Sequence, residues 1–149
     1  LAARSRFLGQ IECVAVEETL AEKVISFLRR YAQHRAGVMH QDWDRTLVRH
    51  IYDVFCICRA DSTTTERAVA GFQALVVFDI QEFAQQFPPF AVDPKAVLLA
   101  ALEQDERDPA IREDYEARLL PLVFGSVRPG FDEAYGVFRQ QAEFLLDVL

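Results

Sequence analysis

Glu17-Glu18-Thr19-Leu20-Ala21-Glu22-Lys23-Val24-Ile25-Ser26-Phe27-Leu28-Arg29-Arg30-Tyr31, followed after a short connection by Asp44-Arg45-Thr46-Leu47-Val48-Arg49-His50-Ile51-Tyr52-Asp53-Val54, decides the fold. In the first part Leu20, Val24, Phe27, Leu28 and Tyr31 fall at i, i+4, i+7, i+8 and i+11, the period of a helix with one apolar side. Its acidic first turn (Glu17, Glu18, Glu22) and basic last turn (Arg29, Arg30, Arg35) complement the helix dipole, and Ala36-Gly37 ends it. Asp42 or Asp44 can cap a second helix running to near Arg59, with Leu47, Ile51, Val54, Phe55 and Cys58 inward. Each of these two helices brings one charged side chain, Lys23 or Asp53, up to an apolar core.

Outward from that stretch the chain stays helical. Before it, Phe7 to Val16 reads as a short strand, with Ile11, Cys13 and Ala15 on one side and Glu12, Val14 and Val16 on the other. A lone strand leaves its backbone groups unpaired, and the chain has no initiator Met, so the expectation is a piece of a longer protein. After it, Thr63 and Glu66 have capping-box spacing and open a long helix to near Phe87, which Pro88-Pro89 stops. Asp93-Pro94 and Asp108-Pro109 each start a helix by the cap-then-proline rule, carrying Val97, Leu98, Ala101 and Leu102, then Ile111, Tyr115 and Leu119. Gly125 to Gly130 is a loop, and Phe131 to Leu149 a last amphipathic helix with Ala134, Val137, Phe138, Phe144, Leu145 and Val148. The fold class expected is mainly α, a bundle of about six helices with one short N-terminal strand, forming a single domain over 1–149. No repeat of solenoid period occurs.

With 149 residues, 51% of them apolar, the chain can bury a core of its own. Its longest apolar run, Ala68 to Ile80, is interrupted by Gln73 and Asp79 and is too short to span a membrane. The net charge of −7 is uneven: residues 1–60 hold nine Lys/Arg and seven Asp/Glu, residues 61–149 seven and sixteen. The acidic part would repel a phosphate backbone, so nucleic-acid contact belongs to the N-terminal third or to residues outside this chain. Cys13, Cys56 and Cys58 are odd in number and lack Cys-x-x-Cys spacing, which reads as reduced, packed thiols in a cytoplasmic protein.

Lys23 can be a solvated lysine of an amphipathic helix, or a compact ammonium for the charged tail of a nucleotide. Asp53, among Ile51, Val54 and Phe55, needs a partner. Arg49 at i−4 supplies one at helical spacing, and the other reading is a carboxylate facing the same cleft as Lys23, acting as general base, metal-shell ligand or clamp on the lysine. His40 and His50 lie in no metal-binding spacing. Arg29, Arg30 and Arg35 read as a solvated helix end, with tRNA or nucleotide contact the second reading, and Phe72, Phe78, Phe83 and Phe87 as core aromatics rather than base-stacking platforms.

The Glu17-Glu18-Thr19-Leu20-Ala21-Glu22-Lys23 helix start, with its preceding strand and Arg-Arg end, and the Arg49-His50-Ile51-Tyr52-Asp53-Val54 segment together resemble the C-terminal half of the AbiEii/AbiGii-type nucleotidyltransferase toxins. The pattern there is Glu-x-x-x-x-Lys on one helix and Arg-Asp-x-Tyr-Asp-Leu on the next. The late Gly130-Phe131-Asp132-Glu133-Ala134 helix start is similar to their helical tail. The resemblance implies a polymerase-beta-like enzyme that uses a divalent metal, Mg2+, to transfer a nucleotide from an NTP to an acceptor such as RNA, tRNA included, or protein. It also implies a cognate protein antitoxin.

By the same resemblance Lys23 and Asp53 are the catalytic residues, Lys23 and Arg49 bind substrate, and the 149 residues form the helical C-terminal part of the longer enzyme. Two departures stand out. His50 occupies an acidic position of the pattern, and no Gly-Ser turn followed by an Asp-x-Asp metal pair occurs; Asp42-Trp43-Asp44 lacks that turn. The chain by itself is therefore expected to hold no metal or cofactor and not to catalyse transfer alone. The alternative is a non-catalytic helical module that binds a protein partner. The two differ in one feature: a shared Lys23–Asp53 cleft belongs to the enzyme, and Asp53 buried on Arg49 with Lys23 elsewhere belongs to the scaffold.

Overall fold

The computed structural model describes residues 14–149 and, among them, a mainly α protein of seven helices. They are α1 (Val16–Arg35), α2 (Arg49–Ala60), α3 (Thr64–Phe83), α4 (Pro88–Val92), α5 (Pro94–Arg107), α6 (Pro109–Glu113) and α7 (Phe131–Leu146). The strand expected over Phe7 to Val16 lies outside the described residues except at its end, where Ala15 is extended and Val16 already opens α1.

Helix α1 is the axis of the bundle, packed against α2, α3 and α5, while α7 closes the far side on α2, α3 and α5. Its predicted stripe of Leu20, Val24, Phe27, Leu28 and Tyr31 is buried throughout. Phe27 meets the Phe138 ring of α7 edge-on at 5.5 Å, an arrangement that suits the ring quadrupoles. Gly37, at φ 70°, follows the helix in the left-handed region that an end of this kind needs.

Asp44 accepts from the Thr46 amide at 3.0 Å and caps a single 3-10 turn, Arg45–Val48, that runs straight into α2. The expected Thr63–Glu66 capping box does not form. Asp61 instead accepts from both the amide (2.9 Å) and the hydroxyl (2.6 Å) of Thr63 in an Asx turn, and the Thr63 oxygen accepts from Arg67 Nη1 at 2.7 Å instead of from the Glu66 amide. Helix α3 also ends at Phe83, short of Phe87. Phe87 precedes a proline and is held out of the helical region, so Pro88 and Pro89 begin the short α4 rather than merely stopping α3.

Both Asp-Pro starts are as expected: Asp93 accepts from the Ala96 amide at 3.0 Å and Asp108 from the Ala110 amide at 2.9 Å. After α6 the winding loosens to π-type turns over Asp114–Leu119 and then tightens over Leu120–Leu122. Pro121 explains this, because it offers no N–H to the carbonyl of Ala117 and its ring crowds that turn. Asp108 has a second task, accepting from the Tyr31 hydroxyl at 2.8 Å and so tying α1 to the α5–α6 corner. Asp108→Ala removes cap and tie together and is expected to cost about 2 kcal/mol in urea unfolding.

Two readings of side-chain placement are corrected. Phe78 is 63% exposed, on the outer side of α3. Arg29 is not solvated but buried, its Nε donating to Asp79 Oδ2 at 2.6 Å and its Nη1 to Gln33 Oε1 at 2.8 Å, with the guanidinium 3.5 Å over the Phe83 ring. Asp79, the one carboxylate within the apolar run of α3, thus finds its counter-charge on α1.

Candidate functional site

Lys23 projects from the middle of α1 at the edge of its apolar stripe, and Asp53 from the second turn of α2. The packing of α2 on α1 brings them together: Lys23 Nζ donates to Asp53 Oδ2 at 2.7 Å. Each side chain is 23% exposed, so the pair sits at the surface of the core rather than inside it. A charge-assisted bond of this length orients both groups. Among the described residues it is the lysine's only hydrogen bond to protein, which leaves donors of a three-donor ammonium for a ligand.

Arg49, the i−4 partner that spacing offered, is secondary. Its Nε lies 3.9 Å from Asp53 Oδ1 and its side chain is 71% exposed. Of the features that separate enzyme from scaffold, the structure has Lys23 on Asp53 rather than elsewhere, and Arg49 at the longer distance.

Beside the pair lies a shallow hollow of about 220 Å³ lined by Thr19, Glu22, Lys23, Ser26 and His50, which Lys23 enters and Asp53 does not. Thr19, Ser26 and Lys23 recur at helical spacing along one polar side of α1. That recurrence was visible in the sequence, but nothing there told a lining face from a solvated one.

His50 sits one turn before Asp53, with Nδ1 buried and without a hydrogen-bond partner. Burial, reinforced by the Lys23 ammonium, pushes its pKa down to about 4, so the ring is neutral at pH 7. Because the folded value lies below the ordinary 6.5, His50 favours folding fully above pH 6.5, and that contribution is lost as pH falls from 6.5 toward 4. The expected result is an imidazole whose NMR chemical shifts stay flat down to pH 5 and titrate near pH 4. Titration near 6.5 would remove the neutral-ring description.

The described residues do not fit a divalent metal site. No group of three or more His, Cys, Asp or Glu side chains among them could hold an ion. Asp44 is engaged by Thr46 and faces Arg30 at 3.7 Å, and that hydrogen bonding holds its carboxyl below the usual range. Asp53 is taken by Lys23. What this arrangement can do is bind and orient an anion, with a lysine for charge and a carboxylate that fixes where the lysine stands. Among the described residues no helix is long and apolar enough to cross a membrane.

Comparison with known families gives a match. The family model described as "Nucleotidyl transferase AbiEii toxin, Type IV TA system" matches residues 5–137, most of the chain and all of the site. No curated protein and no solved structure matches.

Proposed function

This chain belongs to the AbiEii nucleotidyltransferase toxin family, and from that premise we propose that it forms the phosphate-binding and orienting part of a toxin enzyme that moves a nucleotide from an NTP to an acceptor. The observation that carries the proposal is the Lys23–Asp53 pair at 2.7 Å, with its lysine lining a solvent-reachable hollow. Lys23 places its ammonium on the NTP phosphates, Asp53 holds the lysine in register, and the exposed Arg49 adds charge from the outer side of the pair.

Neutral His50 fits this division of work. Where the family pattern has an acid, the uncharged ring leaves Asp53 as the one carboxylate bonded to the Lys23 ammonium among the described residues. The carboxylates for Mg2+ are supplied by residues other than those described, so no step of the reaction is routed through a metal here. RNA, tRNA in particular, or protein is the acceptor, a cognate antitoxin opposes the toxin, and the protein works in the cytoplasm.

The test is transfer itself. Full-length protein given each NTP labelled at the α-phosphate, Mg2+ and a mixture of cellular RNA and protein is expected to leave the label covalently on one acceptor class. Absence of label on both classes with all four NTPs would reject the reading.

A further inference from the structure

A second cavity of about 290 Å³, with Arg49 in its lining, lies between the start of α2 and the 118–124 segment. Arg45, Arg49 and Arg118 stand along it, Tyr52 contributes a ring, and Leu122 and Phe124 form the opposite lip. We infer that this groove binds the end of a single-stranded polynucleotide, phosphates on the three arginines and a base against the aromatic side chains. The inference rests on the nucleotidyl-transfer reading only for its purpose, which is to hold the acceptor next to Lys23 and Asp53; the binding stands or falls separately.

Charge is the first support. In a chain of net charge −7 the groove lining contains three arginines and no acidic residue. Two carboxylates stand behind the lining: Asp114, buried and bonded by Trp43 Nε1, lies 3.8 Å from Arg118, and Asp53, bonded by Lys23, lies 3.9 Å from Arg49, so three guanidiniums and an ammonium share two carboxylates. Arg45 makes no ion pair among the described residues. A local excess of guanidinium on an acidic protein is a site for an anion, since the fork of donors matches phosphate oxygens.

Shape and apolar surface narrow the ligand. Phe124 is 92% exposed and Leu122 is exposed beside it, which costs free energy in water unless something covers them. A simple phosphate would use the arginines and leave these side chains bare. A nucleotide uses both, because its base has a flat face for Phe124 and its phosphate takes the forks. The volume suits a single nucleotide, and Arg49 belongs both to the groove and to the surroundings of Asp53, so the groove adjoins the pair directly.

The probe is a short fluorescein-labelled single-stranded oligoribonucleotide, followed by anisotropy with the 149-residue chain over a range of salt, with adenosine monophosphate and an acidic peptide as competitors. Binding is expected, with a logarithmic salt slope that drops by about 0.7 in Arg45→Gln and again in Arg118→Gln, the value for one phosphate contact on a single strand. Phe124→Ala is expected to weaken binding about tenfold or more. Arg118→Lys should restore the slope lost in Arg118→Gln, and Lys95→Gln, outside the groove, should change nothing.

No binding, binding that the groove variants leave unchanged, or equal displacement by the mononucleotide or the acidic peptide would each overturn the inference. Lys23→Ala is expected to leave oligonucleotide binding intact. Loss of transfer with retained binding would therefore bear on the function proposed above, and loss of binding with retained transfer on this one.

Discussion

Lys23→Ala in the full-length protein is expected to abolish nucleotidyl transfer, lowering the rate by at least about a hundredfold, the scale found when one aligned electrostatic group is removed from a reacting centre. The same change is expected to alter stability by no more than about 1 kcal/mol, because an ion pair at the surface of the core, each side chain 23% exposed, still reaches solvent that screens it and carries a side-chain entropy cost. That split separates function from scaffolding. A pair whose purpose is to hold α1 to α2 would show a drop in melting temperature with activity following it, whereas a phosphate-binding lysine leaves the melt near wild type and removes the chemistry. Lys23→Arg keeps the charge but replaces a point donor by a wider planar fork whose Nη atoms extend past the 2.7 Å contact with Asp53, so partial activity is expected. Asp53→Asn keeps a hydrogen-bond acceptor for the lysine while removing its counter-charge. Its expected loss is smaller than that of Lys23→Ala, and is seen in the rate at saturating NTP more than in the NTP concentration needed. Normal transfer by Lys23→Ala would end the assignment, whatever the melts show.

The residues behind that experiment were legible in the sequence, and their meeting was one of two readings it left open. Lys23 and Asp53 each sit on a helix whose period is plain, but they are 30 positions apart, and sequence spacing offers Asp53 a nearer partner in Arg49. Which cation wins depends on how far α2 is rotated about its axis against α1. That rotation is set by Ile51, Val54 and Phe55 packing into α1, a tertiary property with no local signal. The same limit accounts for Arg29, whose counter-ion Asp79 lies 50 positions away on α3. The Asp44, Asp93 and Asp108 caps, by contrast, are decided within three residues by a carboxylate and the amides just after it, and they are where the sequence places them. Thr63 fails for an equally local reason, since Asp61 two residues earlier takes its hydroxyl proton and Arg67 four residues later donates to its oxygen. Phe78 was misplaced because α3 is apolar on more than the face it buries, so periodicity alone cannot choose the inward side.

Asp105 was not singled out by any motif, yet Asp105→Asn is expected to be the most stabilising single change in the domain at neutral pH. Its side chain is fully buried between α5 and α7, Oδ2 has no hydrogen-bond partner, and burial raises its pKa to about 8 despite the Tyr135 hydroxyl beside it and the Arg139 charge beyond. The hydrogen bonding has the same sense. The Tyr135 hydroxyl faces both Asp105 Oδ1 and the carbonyl of Leu102, the latter at 2.9 Å, and has one proton for two acceptors. A protonated Asp105 resolves this by donating to the tyrosine oxygen, while the tyrosine donates to Leu102. The folded pKa thus lies above the unfolded value of about 3.9. Stability from this group is complete below about pH 4 and declines as pH rises to about 8, by about 1.4 kcal/mol per unit. Between pH 4 and 6.5 the opposite slope of His50 largely cancels it, so the decline should emerge between pH 6.5 and 8 as roughly 2 kcal/mol in urea unfolding. Asparagine reproduces the protonated acid, its amide donating to the tyrosine oxygen at every pH. Asp105→Asn is therefore expected to flatten that decline and to gain as much as roughly 4 kcal/mol at pH 7, the cost of leaving the acid protonated there. An unchanged slope in the variant would mean that Asp105 is ionised in the folded protein, and the proton would then have to be sought on another buried group of the α5–α7 interface.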